Sequence, residues 1–190
     1  MKRIFSLLLA TLSLFTTAQE RCGTEAHTKR MIANNPDYAI AKEKVNTQTK
    51  KWIENHPNHS EKTIITIPVV VHVVWNTNAE NISDAQIEDQ MRILNEDYAL
   101  LNADTTQVST TFQPLMGKAR IEFRLAQIDP FGNCTNGIDR IYTQETNSGD
   151  DGSKMRNWSR SKYLNVWVVK TITSGAAGYA YYPSATSQGF

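Results

Sequence analysis

The pattern of apolar residues changes abruptly at Thr63. From Ile64 to Trp75 the chain is β-branched and apolar at most positions, on both sides of an extended backbone. Such a run is typical of a central strand that is covered on each face. Pro68 cannot donate a hydrogen bond to a neighbouring strand, so it should lie near the strand start or at a bulge.

The next segment predicts an amphipathic helix. Ser83 and Gln86 have the spacing of a capping box, and Ile82 can pack against Ile87 across the first turn. Apolar residues then recur at helical spacing, at positions 87, 91, 94, 98 and 101. A strand that is followed by a long helix predicts a crossover connection to a parallel neighbouring strand.

Two further segments predict strands. Residues 121–125 alternate between apolar and polar side chains, which predicts a strand with one solvated face. The apolar run from Leu164 to Ile172 predicts a buried strand. Between them, residues 146–153 are rich in Gly, Asn and Asp and predict an exposed loop. Strands that alternate with a helix indicate an α/β fold.

The N-terminal 62 residues differ in character from the rest. Residues 1–18 have the pattern of a secretory signal peptide, with Lys2 and Arg3 before an apolar core and small residues at 16–18. The core has about 12 apolar residues, whereas a membrane span needs roughly 20, so no membrane anchor is expected. Residues 35–37 (Asn-Pro-Asp) indicate the start of a helix, and residues 55–60 indicate a linker.

Charge and cysteine content exclude some classes of function. Removal of Lys2 and Arg3 with the signal lowers the formal net charge from +1 to −1, so nucleic acid is not an expected partner. Two cysteines, Cys22 and Cys134, do not make a disulfide framework in an exported chain of this size. They form either one bridge or two thiols with separate roles.

The histidines do not form a zinc-binding pair. A helical pair needs i and i+4 spacing with a carboxylate between, and His27, His56, His59 and His72 do not provide it. His56 and His59 are expected in a surface linker, and His72 is expected to be a packed, hydrogen-bonded core residue. No nucleophile elbow, P-loop or dinucleotide fingerprint occurs. The chain therefore lacks a self-sufficient catalytic constellation.

Eight short segments nevertheless follow one another in a familiar order: residues 21–24, 67–75, 82–87, 94–98, 129–130, 135–140, 163–169 and 178–180. Together they resemble secreted bacterial members of the pappalysin family of metzincin zinc metalloproteases, of the cytophagalysin type. The resemblance implies the N-terminal half of a metzincin catalytic domain. That half is a twisted, mostly parallel sheet with an antiparallel edge strand and backing helices, preceded by a short helical pro-segment.

The resemblance also implies a domain organisation and an activity. It divides the chain into a signal peptide (1–18), a pro-segment with linker (19–62) and an incomplete catalytic domain (63–190). The zinc helix of the family, H-E-x-x-H-x-x-G-x-x-H, would follow beyond Phe190, so no catalytic or metal-binding residue is expected within this chain. The complete protein is expected to be a secreted endopeptidase for protein or peptide substrates, with zinc as cofactor and calcium as a second candidate metal.

Two groups of residues are candidates for the site by resemblance. Cys22 corresponds to a cysteine switch, in which a thiolate occupies the zinc position that the reacting water needs. The alternatives are a Cys22–Cys134 disulfide or a thiol without a special role. Gly178, Tyr179, Ala180 and Tyr181 correspond to an edge strand that binds the substrate backbone, or else form an aromatic loop packed on the core. The alternative function is a non-catalytic exported module that binds proteins.

Overall fold

The computed structural model describes residues 22–57 and 63–183. The predicted signal peptide lies outside these residues. The described chain contains helices α1 (Thr24–Asn34), α2 (Asp37–Asn55) and α3 (Asp84–Tyr98), and strands β1 (Ile65–Trp75), β2 (Ile121–Leu125), β3 (Ile138–Tyr142) and β4 (Leu164–Val168). No helix in these two ranges has the length and apolar character needed to cross a membrane.

The sheet is built around β1, which pairs in parallel with each of the other three strands. Strand β2 pairs with the first half of β1 and β3 with the second half, whereas β4 pairs with residues 69–73. The C=O of Val69 accepts from the N–H of Ala126, which follows β2, and the N–H of Val71 donates to the C=O of Gly137, which precedes β3. Strands β2 and β3 therefore lie end to end along one edge of β1, and β4 lies along the other.

This arrangement confirms the predicted α/β fold with a mostly parallel sheet. One detail differs, because the expected antiparallel edge strand is not formed by residues 178–182. In that segment Gly178 makes an isolated parallel bridge to Cys22. The physical reason is that the N-terminal residues, rather than a sheet strand, take up its backbone hydrogen bonds.

Pro68 lies within β1, opposite Arg124 of β2. Odd-numbered residues of β1 bond towards β2 and β3, so the missing N–H of Pro68 would point towards β4. Pairing with β4 begins only at Val69. Proline is therefore placed where β1 has no neighbour on that side, which explains why it does not break the strand.

The main core lies between one face of the sheet and α3. Its buried members are Val69, Val71, Val73, Ile87 and Phe123. The predicted capping box of α3 is confirmed, since Ser83 accepts from the backbone N–H of its N3 residue and the side chain at N3 accepts from the backbone N–H of Ser83.

The side chain of Asn95 in α3 forms hydrogen bonds with the backbone at the outer edge of β2. Its side chain accepts from the N–H of Phe123 at 2.8 Å and donates to the C=O of the same residue at 2.9 Å. An open strand edge is a template for unwanted pairing, so this contact both anchors the helix and closes that edge.

The opposite face of the sheet carries His72, which is fully buried. Its two ring nitrogens face Asp139 at 3.2 Å and Asn165 at 2.9 Å, and its ring stacks on Trp167. The prediction of a hydrogen-bonded core histidine is confirmed. The predicted exposed loop 146–153 is only partly exposed, because Thr146 at its start is buried and bonds to the backbone at 170.

The face of β4 on the α3 side is open to solvent. Register places Leu164 and Val166 beside Val69 and Val71 on that face, yet they are 42% and 38% exposed. The prediction of a buried strand is wrong here, because the core under α3 is formed by β1 and β2, and only Val168 at the end of β4 packs against it. The strand also ends at Val168 rather than at residue 172.

Candidate functional site

The N-terminal segment (residues 22–57) docks on a short extended stretch that we name the rim segment (residues 176–182). The N–H of Gly23 donates to the C=O of Gly178 at 2.7 Å, and the N–H of Ala180 donates to the hydroxyl of Thr24 at 3.0 Å. The rim segment thus offers its backbone groups to a partner. In this structure the partner is the chain itself.

Gly23 makes this close approach possible. A Cβ atom at this position would lie 2.9 Å from the Cβ of Ala176 and 3.4 Å from the C=O oxygen of Gly178. Any side chain would therefore separate the two backbones and lengthen the bond between them. After Gly23 the chain turns into α1, which stays in contact with the rim segment through Thr24 and His27.

Cys22 stands at the point where the N-terminal segment reaches the rim. Its thiol is exposed and points to the hydroxyl of Thr24 at 3.4 Å. Cys134 is also an exposed thiol, so the structure contains no disulfide between these two described cysteines. Cys22 and Gly178, which were predicted separately, are brought together.

The described residues do not by themselves provide a metal centre. No group of three or more His, Cys, Asp and Glu side chains in this part of the chain could hold a metal ion. Cys22 could supply one thiolate ligand, whereas a protein zinc site needs at least three protein ligands. The remaining ligands of any zinc ion at Cys22 would have to come from other residues.

An aromatic cluster joins α1 to the rim segment. The ring of His27 lies 4.5 Å from the ring of Tyr179 and 4.6 Å from that of Tyr181, measured between centroids. The ammonium group of Lys154 lies over the same two tyrosine rings, at 4.6 and 3.9 Å. Asp151 accepts hydrogen bonds from Lys154 and from the hydroxyl of Tyr181, both at 2.7 Å.

Burial and charge shift the pKa of each group in this cluster. Burial lowers the pKa of His27, and Lys154 adds to the effect. Burial also lowers the pKa of Lys154, although Asp151 opposes this. For Asp151, burial alone would raise the pKa, but hydrogen bonds from Lys154 and Tyr181 outweigh it and lower it. Burial and the nearby carboxylates raise the pKa of Tyr179 to about 12.

Sequence reasoning identified the two tyrosines of this cluster but missed His27, Asp151 and Lys154. Tyr179 and Tyr181 are two residues apart, so an extended backbone puts both rings on one side. That spacing was the available signal for a two-ring binding surface. Nothing local in the sequence indicated which residues would pack against it, since they come from positions more than 20 residues away.

A groove of about 1320 Å³ lies next to the rim segment. It runs along β4 and is lined by Leu164, Val166, Val168 and Tyr179 among others. The open apolar face of β4 and the rim segment therefore border the same space.

Comparison with known proteins gives relatives of one kind. No protein-family model matches the chain. A protein of Pyricularia oryzae named extracellular metalloprotease is 24% identical over 188 residues, covering 97% of this chain and 55% of the relative. A protein of the same name from Arthroderma gypseum is 24% identical over 183 residues, covering 95% and 49%. The chain thus spans about half the length of the curated relatives that it matches.

Solved structures give the same result at higher identity. A Tannerella forsythia promirolysin mutant is 35% identical with a TM-score of 0.65, over 88% of this chain and 56% of that one. Mature mirolysin of the same organism, in complex with a cleaved peptide, is 45% identical with a TM-score of 0.53, over 57% and 43%. The chain shares its fold with these metalloproteases.

Proposed function

We propose that this chain is the N-terminal part of a secreted zinc metalloendopeptidase of the pappalysin type, made as a latent zymogen. The observation that carries the proposal is the docking of the N-terminal segment on the rim segment, with Cys22 at the contact. The names of the relatives support a protease that acts outside the cell. Its substrates would be proteins or peptides, hydrolysed at the peptide bond.

The two mirolysin structures support a zymogen. The share of this chain that aligns is 88% with the proform and 57% with the mature form. This difference is expected if the residues before β1 correspond to a part of the proform that the mature enzyme lacks. The N-terminal segment and linker, residues 19–62, are therefore the proposed pro-segment.

Latency would follow from occupation of the rim segment. A substrate backbone that adds to an exposed edge needs its free N–H and C=O groups. Here the C=O of Gly178 and the N–H of Ala180 are already bonded to Gly23 and Thr24. The pro-segment and the substrate would thus compete for the same backbone groups.

Cys22 is the residue proposed to maintain latency by binding the metal. In a zinc peptidase the metal polarises the scissile carbonyl and activates a water molecule, and this chemistry requires an open coordination position. A thiolate is a good zinc ligand, and the position of Cys22 beside the rim segment is compatible with that role. The histidine ligands implied by the family resemblance are not among the described residues.

The open face of β4 supports a further structural layer. Leu164 and Val166 are apolar and partly exposed, and they line the groove beside the rim segment. Exposed apolar surface of this kind is normally covered by another element or a partner. We propose that the helix with the zinc ligands packs here, next to α3.

A pair of cysteine variants tests the proposal. The protein is produced from its complete reading frame, and the peptidase activity of the unprocessed form is measured for Cys22→Ala and for the matched control Cys134→Ala. Cys22→Ala should be active before processing, whereas Cys134→Ala should stay latent like the wild type. Equal latency of all three proteins would refute the cysteine-switch role of Cys22. A processed wild type without peptidase activity would refute the proposed enzyme function.

A further inference from the structure

His27 of α1 is held inside the rim contact rather than on the surface of its helix. It is only 2% exposed, as is its neighbour Thr28, whereas the other residues of α1 are exposed or partly exposed. Its ring is tilted by 32° against Tyr179 and meets Tyr181 edge-on at 83°. Two aromatic rings of the rim segment thus contact one imidazole, and the edge-on contact with Tyr181 is a favourable geometry for aromatic pairs.

The receptor side of this contact is organised without any help from His27. Asp151 binds Lys154 and Tyr181, and it therefore fixes the ammonium group above the two tyrosine rings. These four residues all lie after β3, whereas the histidine comes from the N-terminal segment. They form a site, and His27 is its occupant.

One hydrogen bond indicates the charge state of the His27 ring. Arg30 lies 3.0 Å from Nδ1 of His27, and a guanidinium group can only donate. Nδ1 must then be the acceptor, so the ring is neutral and carries its proton on Nε2. Nε2 is buried and has no hydrogen-bond partner among the described residues, and it lies within the aromatic enclosure.

We propose that Tyr179, Tyr181 and Lys154 form a binding site for one neutral imidazole ring, and that His27 in this site anchors the N-terminal segment only while its ring is uncharged. The site is separate from Cys22, and it makes docking sensitive to mild acid. The acid-sensitive contact of His27 with this site follows from the geometry alone. The interpretation that mild acid helps to release a pro-segment rests on the proposed function.

The groups that face His27 disfavour a second proton. Arg30 on its own helix and Lys154 on the rim side are cations, and Asp151, the anion that raises the pKa of His27, is already bonded to Lys154. The other titratable groups of the surrounding elements are the carboxylate of Asp150 and three phenols, at Tyr38 of α2 and at the two rim tyrosines. Protonation of Nδ1 would also remove the acceptor for Arg30.

The direction of the pH effect follows from proton linkage. In the docked state the pKa of His27 is lowered by burial and then by Lys154, below the ordinary value of 6.5. The undocked segment therefore binds a proton first as the pH falls. Docking is fully favourable when the pH is well above this ordinary pKa. Below it, the docking equilibrium constant falls by up to about tenfold per pH unit until the docked ring also protonates.

Limited proteolysis measures docking without any need for zinc or peptidase activity. Trypsin cleavage after Lys29 or Arg30 in α1 requires that helix to open, and the fragments are identified by mass spectrometry. Rates are divided by those for an unstructured peptide at the same pH. The full chain is compared with His27→Ala, His27→Phe and the matched control His56→Ala, whose exposed ring stacks on Trp52 within α2.

The variants should separate into two groups. His27→Ala should be cleaved several-fold faster than wild type at pH 8, and free imidazole should restore its protection at that pH but not at pH 5.5. His27→Phe keeps a planar ring without a titrating nitrogen, so its protection should change little between pH 8 and 5.5, while wild type and His56→Ala lose protection.

Two results would overturn the proposal. One is a His27→Ala protein that is cleaved like His56→Ala and does not respond to imidazole. The other is a His27→Phe protein with the same pH dependence as wild type. Because none of these measurements uses peptidase activity, their failure is distinct from a failure of the proposed enzyme function.

Discussion

Replacement of Gly23 by alanine should push the N-terminal segment away from the rim segment. The new methyl group would lie 2.9 Å from the Cβ of Ala176, a distance that real Cβ atoms essentially never show. It would also lie 3.5 Å from the Cβ of Tyr179. Neither neighbouring atom is the end of a flexible side chain, so the backbones themselves must move apart.

The size of the effect follows from two opposing contributions. Forcing an extra methyl group into a packed contact costs about 1–3 kcal/mol. The φ angle of Gly23 is −85°, which alanine adopts without strain, and alanine gains about 0.4–1 kcal/mol because its unfolded state has less entropy. From the centres of these two ranges, the net loss of docking free energy is about 1.3 kcal/mol, or roughly a tenfold increase in the undocked population.

The assay is again the rate of tryptic cleavage within α1 at pH 8, where the proposed imidazole contact is intact. Gly117→Ala is the matched control, because a Cβ at that position meets nothing within 4 Å. Gly178→Ala is a second control on the rim itself, where there is also open space. A Gly23→Ala protein that is cleaved at the rate of wild type and of both controls would refute the close backbone contact.

Three other predictions concern the fold that supports the site. The pKa of Glu80 is lowered from 4.5 to about 2, chiefly by a hydrogen bond from a backbone N–H of the loop after β1. Its contribution to stability is therefore present above pH 4.5 and is lost as the pH falls through about 2. In Glu80→Gln the free energy of unfolding should depend less on pH in that range. Asn165→Ala leaves a ring nitrogen of buried His72 without its partner and should cost about 1–3 kcal/mol in urea unfolding. Gly137→Ala should lower the melting temperature more than Gly132→Ala, because both have positive φ but only Gly137 has backbone atoms within 3 Å of the added Cβ.

The elements with strong local patterns were predictable from the sequence. The strand around His72 and the capped helix that begins after Ser83 were both confirmed, because a continuous apolar run and a capping box are properties of neighbouring residues. The helix after Pro36 is also present, with Asn35 accepting from the N–H of Asp37. In each case the residues that decide the structure are close together in the chain.

Features that depend on distant residues were not predictable in the same way. The apolar run at Leu164 looks like a buried strand, but its burial depends on whether a helix covers it, and α3 does not. The rim segment was expected to be a strand, and its partner proved to be Gly23, 155 residues earlier. His27 looked unremarkable because its site is assembled from residues 151–181.

Peptide-bond hydrolysis decides whether this protein is a metalloendopeptidase, and it is measured on the protein made from its complete reading frame with the N-terminal segment cleaved off and removed. The processed protein should degrade an unfolded protein substrate, 1,10-phenanthroline should abolish this activity, and added zinc should restore it. A correctly folded, zinc-loaded and processed protein that hydrolyses no peptide bond, or hydrolysis that the chelator leaves unchanged, would refute the proposed function.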